Sequence, residues 1–296
     1  MNYLRRVNML KFDEQKQLDS VNGALALRKD IEDIVDTICG KGYKNICWMG
    51  IGGTYASCLQ AEIHMKEKSA IDFFVENAAE YLTTGNRKIG KGTIVIVSSV
   101  TGSTEEMVKG VAKAKTAGAE IIGFIDVPES KLAQSVDHEI AYAGNEQLKF
   151  FMTADRFMYQ AGEFPDYEAY YAEMDAHLAQ ALVDTEKAAD AFGEAFAQKH
   201  MNDRMHYFVG AGNQYGAVYS YAMCYWEEQH WLRTKSIHSA EFFHGMLEVV
   251  DRDTPVTVFV GEDAQRPLSL RVAAFLPRIC ANYTIIDTKD YPLAGI

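Results

Sequence analysis

The nine residues from Ser98 to Glu106, SSVTGSTEE, carry five hydroxyl side chains around one glycine. They follow an apolar run, Thr93 to Val97, that has the composition of a buried strand. Hydroxyls beside the free N–H groups of a helix start bind a small anion, phosphate above all, and need no lysine to do it. Ser99, Thr101, Ser103 and Thr104 are the candidate donors, and Gly102 lets the backbone come close to the ligand. The competing explanation is local. Ser103 or Thr104 then caps the next helix, and Glu105 or Glu106 completes a capping box.

A second set of chemistry-bearing residues lies in CYWEEQHWLRTKSIHSAEFFHGMLEVVD, Cys224 to Asp251. The spacing predicts a helix from near Gln214 to about Trp231, with Glu228 on the same face as Tyr221, Cys224, Tyr225 and Leu232. A carboxylate on an aromatic face is partly desolvated, which raises its pKa toward that of a working general base. A surface glutamate at the helix edge is the alternative, and Glu227 reads as a solvated neighbour. His238, Glu241 and His244 recur at every third position. That spacing drifts around a helix and is not His-Glu-x-x-His, so no metal is assigned to it. The turn GIGGTY at Gly50 to Tyr55 lacks the third glycine of a dinucleotide fingerprint, and GAGNQYG has the wrong spacing. Glu76 stands where a ribose-binding acid would, but a nicotinamide cofactor leaves the hydroxyl loop without a role.

These residues need elements to hold them. KNICWMGIGGTYASCLQAEIHM, Lys44 to Met65, has an echo in MHYFVGAGNQYGAVYSYAMCYW, Met205 to Trp226. Each reads as strand, Gly-rich turn and helix. The first copy continues through the strands AIDFFVEN, GTIVIVSS, AEIIGFIDV and HEIAYAG; the second continues through TPVTVFVGED and NYTIIDT. Unbroken Ile/Val runs alternating with helices predict parallel sheets covered on both faces. Residues 151–202 read as connecting helices broken near GEFPDY. The first 40 or so residues read as one or two helices, RKDIEDIVDTI being the clearest, with little room for a DNA-binding module. The expected domains are 1–160, with N-terminal helices, and 161–296, with the connecting helix.

Composition agrees with that reading. The chain has 296 residues, 48% hydrophobic and 24% charged, with a net charge of -12. An acidic surface argues against nucleic-acid binding, which needs Lys and Arg to displace counterions from phosphate. The five cysteines include no Cys-x-x-Cys pair and read as reduced thiols of a cytoplasmic protein, Cys47 as core. No apolar h-region opens the chain, and no apolar stretch reaches the ~18 residues of a membrane span.

On GIGGTYAS, SSVTGSTEE and SAEFFHGMLEVVD the sequence resembles proteins built from two sugar isomerase (SIS) domains. It is most similar to fructosamine-6-phosphate deglycases and is related to the isomerase half of glucosamine-6-phosphate synthase. The likeness runs from about Asp30 to Thr288 and is weakest over 151–202. It implies an α/β fold of two tandem SIS domains, each a flavodoxin-like three-layer sandwich. It implies a sugar 6-phosphate held by Ser99, Thr101 and Thr104, with Gly53 and Thr54 of the first Gly-rich turn also touching the substrate. It implies that Glu228 moves the substrate proton and that His244, sixteen residues later, opens the ring or acts as acid. It further implies a homodimer with the site between subunits, and neither metal nor organic cofactor.

The sequence departs from the family pattern in three places. No glutaminase domain is present, the second-domain counterpart of the hydroxyl loop is GEDAQRP, and the chain stops at Ile296 soon after IIDTKDYPLAG. The second departure predicts one phosphate site per chain. The third leaves out a basic, aromatic tail that relatives carry, as expected of a shortened or incompletely covered chain. The activity implied is removal of the amine from 6-phosphorylated fructosamines, giving glucose 6-phosphate. The rival readings are an aldose–ketose sugar-phosphate isomerase, separated by assaying released amine against interconverted sugar, and a sugar-phosphate sensor, which needs the phosphate loop but not Glu228 and His244.

Overall fold

A computed structural model describes residues 13–296. The first helices are α1 (Glu14–Ala26) and α2 (Arg28–Lys41). The first sheet follows as β1 (Asn45–Gly50), α3 (Gly53–Lys66), β2 (Phe73–Asn77), α4 (Ala78–Thr84), β3 (Thr93–Ser99), α5 (Glu105–Thr116), β4 (Glu120–Ile125) and β5 (His138–Ile140). Two helices lead onward, α6 (Glu146–Gln160) and α7 (Tyr167–His200), broken where GEFPDY predicts. The second unit has β6 (His206–Gly210), α8 (Asn213–Ser220), a π-helical segment Tyr221–Gln229, β7 (Thr234–His238), β8 (Val256–Val260), α9 (Arg266–Phe275) and β9 (Tyr283–Asp287).

All strand pairs in the two sheets are parallel. The orders are β2-β1-β3-β4-β5 and β7-β6-β8-β9, so the second sheet repeats the order of the first without its fifth strand. Parallel strands need crossover helices, and these bury both faces of a sheet. That explains the runs of Ile and Val. Ile46, Trp48, Ile94, Ile96, Ile122 and Phe124 face α2, α3 and α6. Cys47, Met49, Val95, Val97, Ile121 and Ile125 face α4 and α5. Each such side chain contributes about 1.5–3 kcal/mol by burial, which fixes the register and the loops beyond it.

The sequence expected the helix after β6 to end near Trp231. It ends at Gln229, and from Tyr221 onward it is wound as a π-helix. Trp231 lies beyond it with a φ of 57°. The wider turn seats Trp226 on His206 and Phe208, with ring centroids 4.8 Å and 5.0 Å apart. It also removes the 3.6-residue period that placed Glu228 on a face with Leu232. Glu228 is exposed in the single chain, so the desolvation expected of it is not supplied by its own helix.

Among the described residues no helix is long and apolar enough to cross a membrane.

Candidate functional site

The order of the first sheet changes direction between β1 and β3, and open parallel sheets bind ligands just outside the carboxyl ends of their strands at such a point. Met49 is opposite Val97 in the β1–β3 pairing, so the Gly-rich turn and the hydroxyl loop leave the sheet side by side.

The hydroxyl loop is built around Gly102, whose φ is 60°. A Cβ there would stand 1.9 Å from Ser130 Oγ, so no other residue fits. The Gly102 N–H donates to Ser99 Oγ at 3.0 Å, which leaves the Ser99 proton available. Ser103 donates from its N–H and its Oγ to Thr101 Oγ1, at 3.3 Å and 3.0 Å. Thr104 occupies the N-cap of α5, yet its side chain makes no capping bond. The capping-box explanation therefore does not account for the loop. The first N–H groups of α5 have no partner within the helix, and they face the loop with the positive end of its dipole. Ser99 is buried, Thr104 half-buried, and Thr101 and Ser103 are exposed.

Gly52, with φ 60°, turns the chain from β1 into α3, and Gly53 and Thr54 open that helix. A side chain at Gly50 would stand 2.7 Å from the Tyr55 amide nitrogen, which explains a glycine at the strand end. Thr54 Oγ1 donates to Glu146 Oε2 at 3.1 Å.

The second unit reaches this edge through α3 and α8. Gln60 Nε2 donates to the Asn213 carbonyl at 3.1 Å. A Cβ on Gly216 would lie 2.7 Å from the Ala56 carbonyl oxygen. The rings of Tyr55 and Tyr219 are 6.4 Å apart. A Cβ on Gly53 would lie 3.3 Å from Cys224 Sγ. Positions fall along α3 as they rise along α8 and its π-helical extension, so the two run antiparallel. Cys224 thus stands beside the Gly-rich turn, and Glu228 lies four residues further along the same π-helical segment.

His244 is placed elsewhere. It ends the 3-10 helix Ser239–His244 that follows the carboxyl end of β7, and it is exposed. The end of the π-helical segment is tied instead to the start of β7, where Thr234 Oγ1 donates to Glu227 Oε1 at 2.7 Å. The five residues of β7 thus separate Glu228 from His244, on the order of 15 Å at the usual rise. Glu227 is the link between helix and strand rather than a free surface group.

The other groups singled out in the sequence have structural employment. His238 caps the 3-10 helix by accepting from the Ala240 N–H at 3.1 Å, and burial pushes its pKa down. Glu241 is exposed. Glu76 accepts from Asn86 Nδ2 at 2.6 Å. In the second unit, the Asp263 carboxylate accepts from the N–H groups of Asn213 and Gln265, at 2.9 Å and 2.8 Å. An internal anion thus fills the start of α8 where GEDAQRP replaces the hydroxyl loop.

Sequence reasoning overlooked two features. Glu146 is one, because a glutamate after Gly-Asn reads as an ordinary helix start. The other is His200, Asp203 and His206, whose ligand-type atoms lie within 4.8 Å of one another and could hold a metal ion. Their spacing, His-x-x-Asp-x-x-His, was a visible signal. The group is already knit together: Asp203 Oδ2 lies 2.7 Å from His200 Nδ1 and 3.1 Å from His206 Nδ1. His206 Nε2 is 2.8 Å from Thr257 Oγ1. The cluster lies at the amino end of β6, away from the crevice.

The chain is a two-sheet α/β protein with a hydroxyl loop at the β1/β3 switch point of its first sheet. Residues 42–155 match the SIS domain family. It is 25% identical over 281 residues to fructosamine deglycase FrlB of Bacillus subtilis (strain 168), covering 91% of this chain and 85% of that protein. Among solved structures it is similar to a Bacillus subtilis protein assigned as a candidate phosphosugar isomerase. The TM-score is 0.83 at 24% identity, over 95% of this chain and 87% of that one. It is also similar to the C-terminal domain of glucosamine-fructose-6-phosphate aminotransferase from Francisella tularensis. There the TM-score is 0.78 at 16% identity, over 98% and 87% of the two chains.

Proposed function

We propose that the protein removes the amine from 6-phosphorylated fructosamines, releasing glucose 6-phosphate and a free amine or amino acid. The observation that carries this reading is the antiparallel packing of α3 on α8, which puts Cys224, four residues before Glu228, against Gly53 of the Gly-rich turn. The likeness to a fructosamine deglycase over most of the chain supports the choice of substrate.

The phosphate lodges against Ser99, Thr101, Ser103, Thr104 and the first N–H groups of α5. That grip is remote from the reacting carbons and orients them. Gly53 and Thr54 border the sugar. Glu228 takes the proton from C1 of the aminoketose, and the electron pair forms the C1–C2 double bond of an enaminol while the C2 oxygen gains a proton. Reprotonation at C2 gives an imine at C1. Water adds to C1, the C1–N bond breaks, and the nitrogen leaves with a proton as the free amine. His244 supplies the acid for ring opening or amine departure. Since β7 separates it from Glu228 within one chain, the His244 of a site comes from a second copy. Val100, Tyr225 and Trp231 are 68%, 51% and 89% exposed, apolar area that a second copy would cover.

The test is a coupled assay for glucose 6-phosphate on a panel of phosphorylated Amadori compounds. Release of glucose 6-phosphate with equal amine is expected, and Glu228→Gln should lower it roughly 10²–10⁴-fold. Interconversion of sugar phosphates without amine release would move the assignment to an isomerase. A ligand-induced rise in melting temperature with no turnover would move it to a sensor.

A further inference from the structure

We infer that Glu146 recognises the cationic amine of the substrate, so that the crevice selects ketose 6-phosphates bearing a protonated nitrogen at C1 over the corresponding hydroxy sugars. The inference rests on the function proposed above and deepens it.

Glu146 is the first residue of α6, at the carboxyl end of the first sheet, and it is half-buried. Its Oε2 accepts from Thr54 Oγ1, one residue from Gly53 and beside the turn that borders the sugar. Its Oε1 has no hydrogen-bond partner, and the carboxylate forms no ion pair among the described residues. The cation one turn along, Lys149, feels the Glu146 charge but makes its direct contacts elsewhere. Lys149 is buried, donates from Nζ to the Tyr142 carbonyl at 2.7 Å and lies 3.7 Å from Asp126 Oδ1. The backbone is held for this placement. Asn145 has a φ of 52°, and its Nδ2 donates to the Ser20 carbonyl and to Ser20 Oγ, at 3.0 Å and 2.7 Å. A half-buried carboxylate with one oxygen free of direct partners is placed to accept from a cationic N–H that arrives with a ligand.

The crevice is therefore polarised. The hydroxyl loop and the start of α5 favour an anion at one end. Glu146, hydrogen-bonded to Thr54, favours a cation. A neutral ketose phosphate satisfies only the first. An aminoketose phosphate satisfies both, and an ammonium held at Glu146 adjoins the C1–H bond that Glu228 must break. A purely structural Glu146, favouring the dipole of α6 and steadying Thr54, would affect every ligand alike.

Two ligands that differ only at C1 separate these possibilities: fructosamine 6-phosphate and fructose 6-phosphate. Their dissociation constants are measured by calorimetry in Glu228→Gln, which prevents turnover, with and without Glu146→Gln. The expected result is a preference for the amine in Glu228→Gln that falls about 10–100-fold on adding Glu146→Gln, with fructose 6-phosphate affinity unchanged. Equal weakening of both ligands, or an unchanged ratio, overturns the inference. Turnover of fructosamine 6-phosphate by the wild-type protein is assayed separately. Failure there refutes the deglycase reading and leaves the binding ratio as a direct reading of Glu146.

Discussion

Glu228 follows Glu227, which is tied to the start of β7, whereas His244 ends the 3-10 helix that follows the carboxyl end of the same strand. If the paired acid and base come from two copies, inactive variants should rescue each other. Glu228→Gln and His244→Asn should each lose roughly 10²–10⁴ in turnover. When the two are unfolded together and refolded as a mixture, about half of the dimers are mixed, and each carries one intact site of two, restoring roughly a quarter of wild-type activity. A mixture no more active than its parts would mean that each site draws both residues from one chain.

The hydroxyl loop makes a second prediction, because its members do different things. Thr104 makes no capping bond, while Ser99 accepts from the Gly102 N–H. Thr104→Ala should leave the melting temperature almost unchanged, although losing a working N-cap costs about 1 kcal/mol. It should raise KM for the phosphorylated substrate and weaken inhibition by inorganic phosphate. Ser99→Ala should raise KM and also lower the melting temperature, since a buried N–H loses its acceptor at about 1–3 kcal/mol. Loss of stability in Thr104→Ala with KM intact would restore the capping explanation.

Much of this was legible in the sequence, for a physical reason. Strands buried on both faces must be apolar without interruption, so NICWMG and TIVIV announced a parallel sheet, and a parallel sheet places its ligands at its carboxyl edge. The hydroxyl loop followed from that alone. The π-helical segment did not, because an extra residue per turn leaves the composition unaltered and breaks only the assumed period. Hence the face assigned to Glu228 was wrong even though the helix was right. Glu146 was hidden differently. Its meaning depends on Thr54, 92 residues away in the chain, and a contact of that range leaves no local trace.

The packing of α3 on α8 supplies a prediction far from the chemistry. A Cβ on Gly216 would lie 2.6 Å from Gln60 Cγ and 2.7 Å from the Ala56 carbonyl oxygen. Gln60 is flexible, but the carbonyl is backbone and can yield only if the helices separate. Gly216→Ala should therefore move Glu228 relative to the Gly53 turn. A misplacement near 1 Å costs on the order of 10²-fold in rate, so kcat should fall by about that much. Inhibition by inorganic phosphate should persist, because β3 and α5 do not move with α8. Unchanged kcat in a folded Gly216→Ala protein would show that Glu228 does not reach the crevice by this route.

The cluster at the amino end of β6 predicts how stability depends on pH. His206 is fully buried, and burial is the main reason its pKa is pushed down to about 4 from an ordinary 6.5. The neighbouring His200 acts in the same direction, while Asp203 opposes it and does not prevail. His200 is also lowered, again chiefly by burial. Thr257 Oγ1 contacts the far nitrogen of His206, and Lys199 adds a further positive charge. Between pH 6.5 and about 4 the unfolded chain binds a proton at His206 that the folded chain refuses. Stability is therefore complete above the ordinary value and declines as pH falls across that window, by on the order of 3 kcal/mol from His206. His206→Gln should melt lower at pH 7.5, having lost a buried acceptor or donor. Its melting temperature should also fall less between pH 6.5 and pH 4 than that of the wild type. Parallel pH profiles for the two proteins would show that the imidazole is not the group refusing the proton.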